Sequence, residues 1–225
     1  TWQPRRRRDS SADVVSRDGT RLLRGMPSRP PPRTIHVAPA ASPRPFRGRR
    51  RRDGTRLRGM PSGRFAQVLD SSKLMGSSGS QADTVCFTEY VQKNMALYEI
   101  TNGLKLSTPA AASFIRNELA RALRKGPYQT NLLLGGYDGA DGASLYYLDY
   151  MASSNKVNYG CHGYCSNFVL SIMDREWTPG MTEAQGLDLL KKCIDEIQVR
   201  FLAHMPLFSV KIVDKDGVRV LEQPK

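Results

Sequence analysis

From Gln81 the apolar residues recur at helical spacing. Val85, Thr88, Val91, Met95 and Tyr98 fall near one face and Asn102-Gly103 ends the run, which predicts a first helix. A second helix is punctuated more sharply: Ser107 or Thr108 can cap its free amides, Pro109 suits its first turn, Ile115, Leu119 and Ala122 line one face, and Gly126-Pro127 stops it. Two short apolar runs follow, Asn131 to Tyr137 and Ser144 to Tyr150. The Gly-rich connection Asp138-Gly139-Ala140-Asp141-Gly142 joins them as a strand-turn-strand unit, and a further short strand is expected around Lys156 to Tyr159.

Beyond these, Ser166 to Arg175 reads as a helix. After Pro179-Gly180 a longer one opens with the capping-box spacing Thr182 to Gln185, its apolar face being Leu187, Leu190, Ile194, Ile197 and Phe201. Phe208, Val210 and Ile212 then alternate with Ser209 and Lys211, and the turn Asp214-Lys215-Asp216-Gly217 leads into Val218 to Leu221, a terminal hairpin. Helices and strands in such groups suit helices layered on antiparallel sheets, an α+β fold, better than a doubly wound parallel sheet.

Charge divides the chain. Residues 1–64 contain 18 Arg, no Lys and four Asp, a net of +14, leaving 16 Lys plus Arg against 17 Asp plus Glu in residues 65–225. The pI near 9.9 therefore belongs to the first segment and says nothing about the part with secondary-structure pattern. That first segment repeats itself: Arg17 to Ser28 returns as Arg52 to Ser62 with one Leu dropped, and arginine runs at 5–8 and 49–52 accompany the copies. Between them, Pro30 to Pro45 is Pro-rich, with neither helical period nor strand alternation. Residues 1–64 are accordingly expected to be a disordered Arg/Pro-rich low-complexity tail, and 65–225 the folded domain. Gly48-Arg49-Arg50-Arg51-Arg52 could serve as a nuclear-import or nucleic-acid patch, against the plainer reading of a solvated tail.

Candidate chemistry is sparse. Cys86, Cys161, Cys165 and Cys193, in a chain without an export signal, read as reduced, packed thiols with no bridge. Cys161-His162-x-x-Cys165 offers three candidate ligands in five residues with no matching second pair elsewhere, so no metal is expected there and His162 reads as a surface residue. Asp138, Asp141 and Gly142 lack the later acidic ligand of a calcium loop. No apolar run is long enough to cross a bilayer, and the expectation is a soluble intracellular protein.

The stretches Phe87 to Asn94, Gly126 to Asp138 and Val210 to Gly217 strongly resemble proteasome β subunits of the non-catalytic type, and the likeness runs from about Val68 to the end. The resemblance implies the four-layer αββα sandwich of amino-terminal-nucleophile hydrolases. It also implies a hairpin and further strands leading into Ser71-Ser72-Lys73-Leu74-Met75, where this chain carries the Arg-rich tail instead. The fold is therefore expected to lack its N-terminal strands.

In active members of such a family an amino-terminal Thr is the nucleophile, its own α-amino group the base, and an Asp and a Lys stand beside it. Thr1 is followed by Trp2-Gln3-Pro4 and an arginine run rather than a first strand, which forfeits the orientation catalysis requires. The position of the family's supporting Ser falls on Tyr164 and that of its supporting Asp on Phe201. Gly79 matches the glycine whose amide would stabilise an oxyanion, but is read here as a turn glycine. The resemblance thus implies no catalytic residues, no cofactor and no metal. It implies a structural subunit of the 20S core in ubiquitin-dependent protein degradation, placed in both seven-membered β rings of a twenty-eight-subunit hetero-oligomer. The implied partners are neighbouring β and α subunits and assembly chaperones, and the implied location is cytoplasm and nucleus. Two competing readings are an active threonine peptidase using Thr1 and a basic-tailed nucleic-acid-binding module.

Overall fold

The computed structural model describes residues 66–200 and 208–221, together with the backbone of Thr34–Pro39. The elements in chain order are β1 (Thr34–Pro39), β2 (Ala66–Asp70), β3 (Lys73–Gly79), α1 (Gln81–Asn102), α2 (Thr108–Leu123), β4 (Thr130–Asp138), β5 (Gly142–Leu148), β6 (Ser154–Val157), α3 (Ser166–Glu176), α4 (Glu183–Arg200), β7 (Phe208–Asp214) and β8 (Gly217–Leu221). Every strand pair is antiparallel. One sheet has the order β2-β3-β4-β5-β6 and the other β1-β7-β8.

Two apolar cores place these sheets between two helical layers. Phe87, Val91 and Met95 of α1 and Ile115 and Leu119 of α2 bury against Met75, Leu132, Leu134 and Leu148 of the five-stranded sheet. Val169 of α3 and Leu190, Cys193, Ile194 and Ile197 of α4 bury against Phe208 and Val210 of β7. Strands β1, β7 and β8 lie over β3 and β4, so the layers run helices, sheet, sheet, helices. The αββα order expected from the sequence is the one observed.

Helix ends follow their predicted chemistry. Ser107 is the N-cap of α2, its hydroxyl accepting from the Ala110 amide, with Pro109 in the first turn. Thr182 and Gln185 exchange hydrogen bonds, Thr182 N–H to Gln185 Oε1 at 2.9 Å and Gln185 N–H to Thr182 Oγ1 at 3.3 Å, before α4. Gly103 ends α1 in the left-handed conformation at φ 66°, its N–H donating to the Glu99 carbonyl.

Three expectations need correction. The buried stripe of α1 is Thr84, Phe87, Thr88, Val91 and Met95, rotated from the predicted one, so Tyr98 is exposed and Phe87 is central. Apolar residues occur nearly all round this helix, and its period alone leaves the buried face ambiguous. Strand β2, directly before Ser71, was not anticipated. It hairpins onto β3 with Ala66 opposite Gly76 and Val68 opposite Leu74. Finally, Thr34–Pro39 lies within the segment expected to be structureless, yet pairs with β7 from Thr34 opposite Val213 to Pro39 opposite Phe208. Thr34, Ile35 and Val37 are β-branched, but over a run too short to stand out in a Pro-rich stretch, and the edge of β7 supplies its partner. The rest of residues 1–64 lies outside the described residues.

Candidate functional site

Two of the positions that bear on catalysis, Thr1 and Phe201, lie outside the described residues. Tyr164 is described: it sits in the turn leading into α3, 70% exposed, packed edge-on against Phe168 with ring centroids 5.9 Å apart. Its phenol stands where the family resemblance expects a serine.

Gly79 closes β3 rather than a turn, which corrects the expectation. Its φ of +139° is disfavoured for side-chain-bearing residues, and a Cβ there would lie 2.1 Å from the Gln129 carbonyl oxygen. The same carbonyl accepts the Ser80 N–H at 2.9 Å, and Asp83 accepts the Gln129 N–H at 3.1 Å. The glycine thus lets the start of α1 dock on the entry to β4.

Among the described residues the most buried cation is Lys73, 1% exposed at the start of β3. Its ammonium pairs with Asp70 at 3.0 Å and donates to Ser72 Oγ at 3.0 Å, while Asp70 Oδ1 also accepts from the Ser72 amide at 2.7 Å and hydroxyl at 3.1 Å. These three side chains close on one another across a single tight turn. The arrangement satisfies a buried charge and holds the hairpin; an ammonium so engaged has no lone pair with which to act as a base.

A second buried lysine, Lys211 of β7, reaches across to the five-stranded sheet and donates to the Ala66 carbonyl. Burial lowers its pKa from the ordinary lysine value. It ties the two sheets together.

Asp138 is committed to structure: its carboxylate accepts the Thr108 N–H at 2.8 Å, at the first turn of α2. Asp141 and Gly142 form the β4–β5 connection, where Gly142 takes φ 72°. The hairpin account of this segment stands.

His162 is not a surface residue. Its ring stacks on Tyr147 with centroids 4.0 Å apart, and Nε2 lies 3.0 Å from the Leu132 carbonyl, to which it donates. Burial lowers its pKa, offset in part by that hydrogen bond. Cys165 and Cys193 are buried and Cys161 is half-buried, but Cys86 is exposed, so the packed-thiol expectation holds for three of the four. Burial foremost, with the neighbouring thiols adding for Cys161, pushes the Cys161 and Cys193 thiols up to about 11. Such thiols are poor nucleophiles and poor soft-metal ligands at neutral pH. They line an apolar cavity of about 230 Å³ between α3 and α4 and the inner face of β4 to β6, which no feature of the sequence had signalled.

The described residues therefore hold a closed ion pair, a cross-sheet lysine and a thiol-lined apolar cavity, and Lys73, Lys211, Asp138 and His162 each make a contact that holds elements of the scaffold together. Comparison with known proteins agrees with that architecture. The proteasome subunit family model matches residues 64–213. This chain belongs to the proteasome subunit family. It is 54% identical over 152 residues to proteasome subunit beta type-2-A of Arabidopsis thaliana, a match covering 68% of this chain and 74% of that protein. It is 53% identical over 152 residues to proteasome subunit beta type-2 of Oryza sativa subsp. japonica, covering 68% and 72%. It is also 42% identical over 156 residues to proteasome subunit beta type-4 of Saccharomyces cerevisiae, covering 68% and 79%. The family is one of subunits that assemble with other proteasome subunits in a core complex.

Proposed function

We propose that the chain is a non-catalytic β subunit of the 20S proteasome core, a wall element of the β ring around a chamber in which neighbouring subunits cleave proteins. Tyr164 carries the reading. A largely exposed phenol packed on Phe168 cannot reproduce the short hydroxyl that supports an amino-terminal threonine. The two buried lysines point the same way, since both ammonium groups are engaged in holding hairpins and sheets.

The surface supports assembly rather than a solitary existence. Leu97 and Ile100 are exposed near the C-terminal end of α1, Ile100 by 82%, and Leu104 is exposed just beyond the Gly103 cap. Apolar residues clustered on one end of a helix suit contact with a neighbouring subunit. We assign the chain neighbouring β and α subunits and assembly chaperones as partners, and cytoplasm and nucleus as its location.

The test is co-sedimentation. Tagged full-length chain expressed in cells should migrate with α and β proteasome subunits in a glycerol gradient, unaffected by nuclease. Migration as a free protein, or a nuclease-sensitive shift, contradicts the reading and favours the basic-tailed nucleic-acid module.

A further inference from the structure

Asparagine is followed by glycine once in the sequence, at Asn102-Gly103, where α1 ends. In such a pair the backbone can attack its own side chain. A five-membered ring closes when the amide nitrogen of the following residue reaches the asparagine Cγ, and glycine, with no Cβ, obstructs that approach least. Both residues are exposed, and nothing lies within 4 Å of where a Cβ on Gly103 would stand, so the ring has room to form and water reaches it.

Two hydrogen bonds hold the reacting groups in place. Asn102 Nδ2 donates to the Tyr98 carbonyl at 2.9 Å, and the Gly103 N–H donates to the Glu99 carbonyl at 2.8 Å. Both belong to the final turn of α1, and no further helix or strand begins before Thr108. An exposed terminal turn with no element directly after it opens at low cost, and one opening frees the nucleophile and the side chain together. Asn117 is the contrasting case. It is also exposed, but it stands inside α2 and is followed by Glu118, whose carboxylate accepts from Tyr90 at 2.9 Å and from Arg121 at 2.7 Å.

From the pair and its setting we propose that Asn102 is a site of spontaneous covalent modification that opens the end of α1. The Gly103 nitrogen gives up its proton to hydroxide and bonds to Asn102 Cγ; the Cγ–Nδ2 bond breaks and ammonia leaves, forming a cyclic imide. Water then adds to one imide carbonyl. Opening at Cγ leaves aspartate, and opening at the main-chain carbonyl leaves isoaspartate, with the chain running through the side-chain carbon. Water enters, ammonia departs, and nothing is oxidised or reduced.

The surroundings of the new carboxylate decide its effect. It puts an acceptor where a donor met the Tyr98 carbonyl, at the negative end of the helix dipole, three residues from Glu99 and in a last turn with no basic residue. Lys105 is already engaged, with Glu99 at 3.8 Å and Ser71 Oγ at 2.7 Å. Isoaspartate also lengthens the backbone by one carbon, which takes the Gly103 amide out of register with the Glu99 carbonyl. Each change opens the turn that carries Ile100. The inference is independent of ring assembly, and its failure would leave the proposed function untouched.

The experiment incubates the purified full chain at 37 °C, at pH 7 and pH 9, and maps its peptides by mass and retention time. Asn102 is expected to gain about one mass unit, as loss of an amide to a carboxylate requires. The gain should appear several-fold faster than at Asn117, faster at pH 9 than at pH 7, and mostly as isoaspartate. Asn102→Gln, whose longer side chain cannot close the five-membered ring, should show no such gain. Hydrogen exchange on Asn102→Asp then reads the opening: the amides of residues 102 and 103 should exchange about tenfold faster than in the native chain, with the core of α1 unchanged. An unaltered Asn102, or one converting no faster than Asn117, overturns the site; unchanged exchange in Asn102→Asp overturns the opening. The two asparagines are compared within one unaltered chain, so the first result does not depend on any variant folding.

Discussion

A Cβ placed on Gly136 would lie 2.3 Å from the Thr108 hydroxyl and 3.1 Å from Lys73 Cγ. Strand β4 and the first residue of α2 thus meet where only glycine fits. Gly136→Ala should push the first turn of α2 off the sheet, costing about 1–3 kcal/mol as overpacked cores do. Urea denaturation of the two proteins checks it, and an unchanged midpoint would show that α2 can move aside freely.

In the Asp70–Lys73 pair the lysine is fully buried and the aspartate nearly so, and breaking it differs from replacing it. Asp70→Asn leaves an ammonium without its counter-charge at 1% exposure and should cost about 3–5 kcal/mol. Asp70→Asn with Lys73→Met removes the charge altogether and should recover most of that loss. If the double variant is as unstable as the single one, the ion pair contributes through geometry rather than charge.

Thiol titration has a defined sign. Folded Cys161 and Cys193 hold their protons to about 11, whereas the ordinary value is 9.0. Between those limits the folded chain binds more protons than the unfolded one, so stability from these groups is complete below pH 9 and is lost as pH rises toward 11. Lys211 acts oppositely: its pKa is lowered by burial, so its contribution improves as pH rises toward 10.5. Replacing both thiols, Cys161→Ala with Cys193→Ala, should flatten the fall in stability between pH 9 and 11. At pH 8 in native protein, iodoacetamide should reach exposed Cys86 first. The two-unit rise alone makes Cys161 and Cys193 about a hundredfold slower than an ordinary thiol. Mass mapping of the modified peptides reads this, and early labelling of Cys193 would contradict the burial described.

Ile100 offers a test of assembly without a test of folding. At 82% exposure, Ile100→Asp should change stability by no more than about 0.5 kcal/mol. It should nonetheless lower incorporation into particles several-fold, measured as the tagged fraction co-sedimenting with proteasome subunits. Full incorporation would move the interface away from the end of α1.

How far the sequence reached depended on whether its signals were local. Ser107 with Pro109, the Thr182–Gln185 box and the Asp214–Gly217 turn are chemistry of a few adjacent residues, and their elements lie within a residue or two of expectation. The face of α1 is set by which sheet it meets, and Phe87 outcompeted Val85 and Tyr98 for reasons no period could reveal. Strand β1 needed a partner 177 residues away, Ile35 opposite Ile212, and the Pro-rich surroundings masked it. At the candidate site, Gly79 was singled out for its amide. Its reason for being glycine, the Gln129 carbonyl, comes from the residue that leads into the next strand of the sheet. The cavity is lined by residues of α3, α4 and strands β4 to β6 that are far apart in the chain, and so it has no local signature in the sequence.

The central claim is that this chain helps enclose proteolysis without performing it. Native particles containing the tagged chain can be treated with a peptide epoxyketone, which bonds to amino-terminal threonine, and every subunit weighed intact. Adducts are expected on other β subunits, with the mass of this chain unchanged. An epoxyketone adduct on this chain would contradict the account.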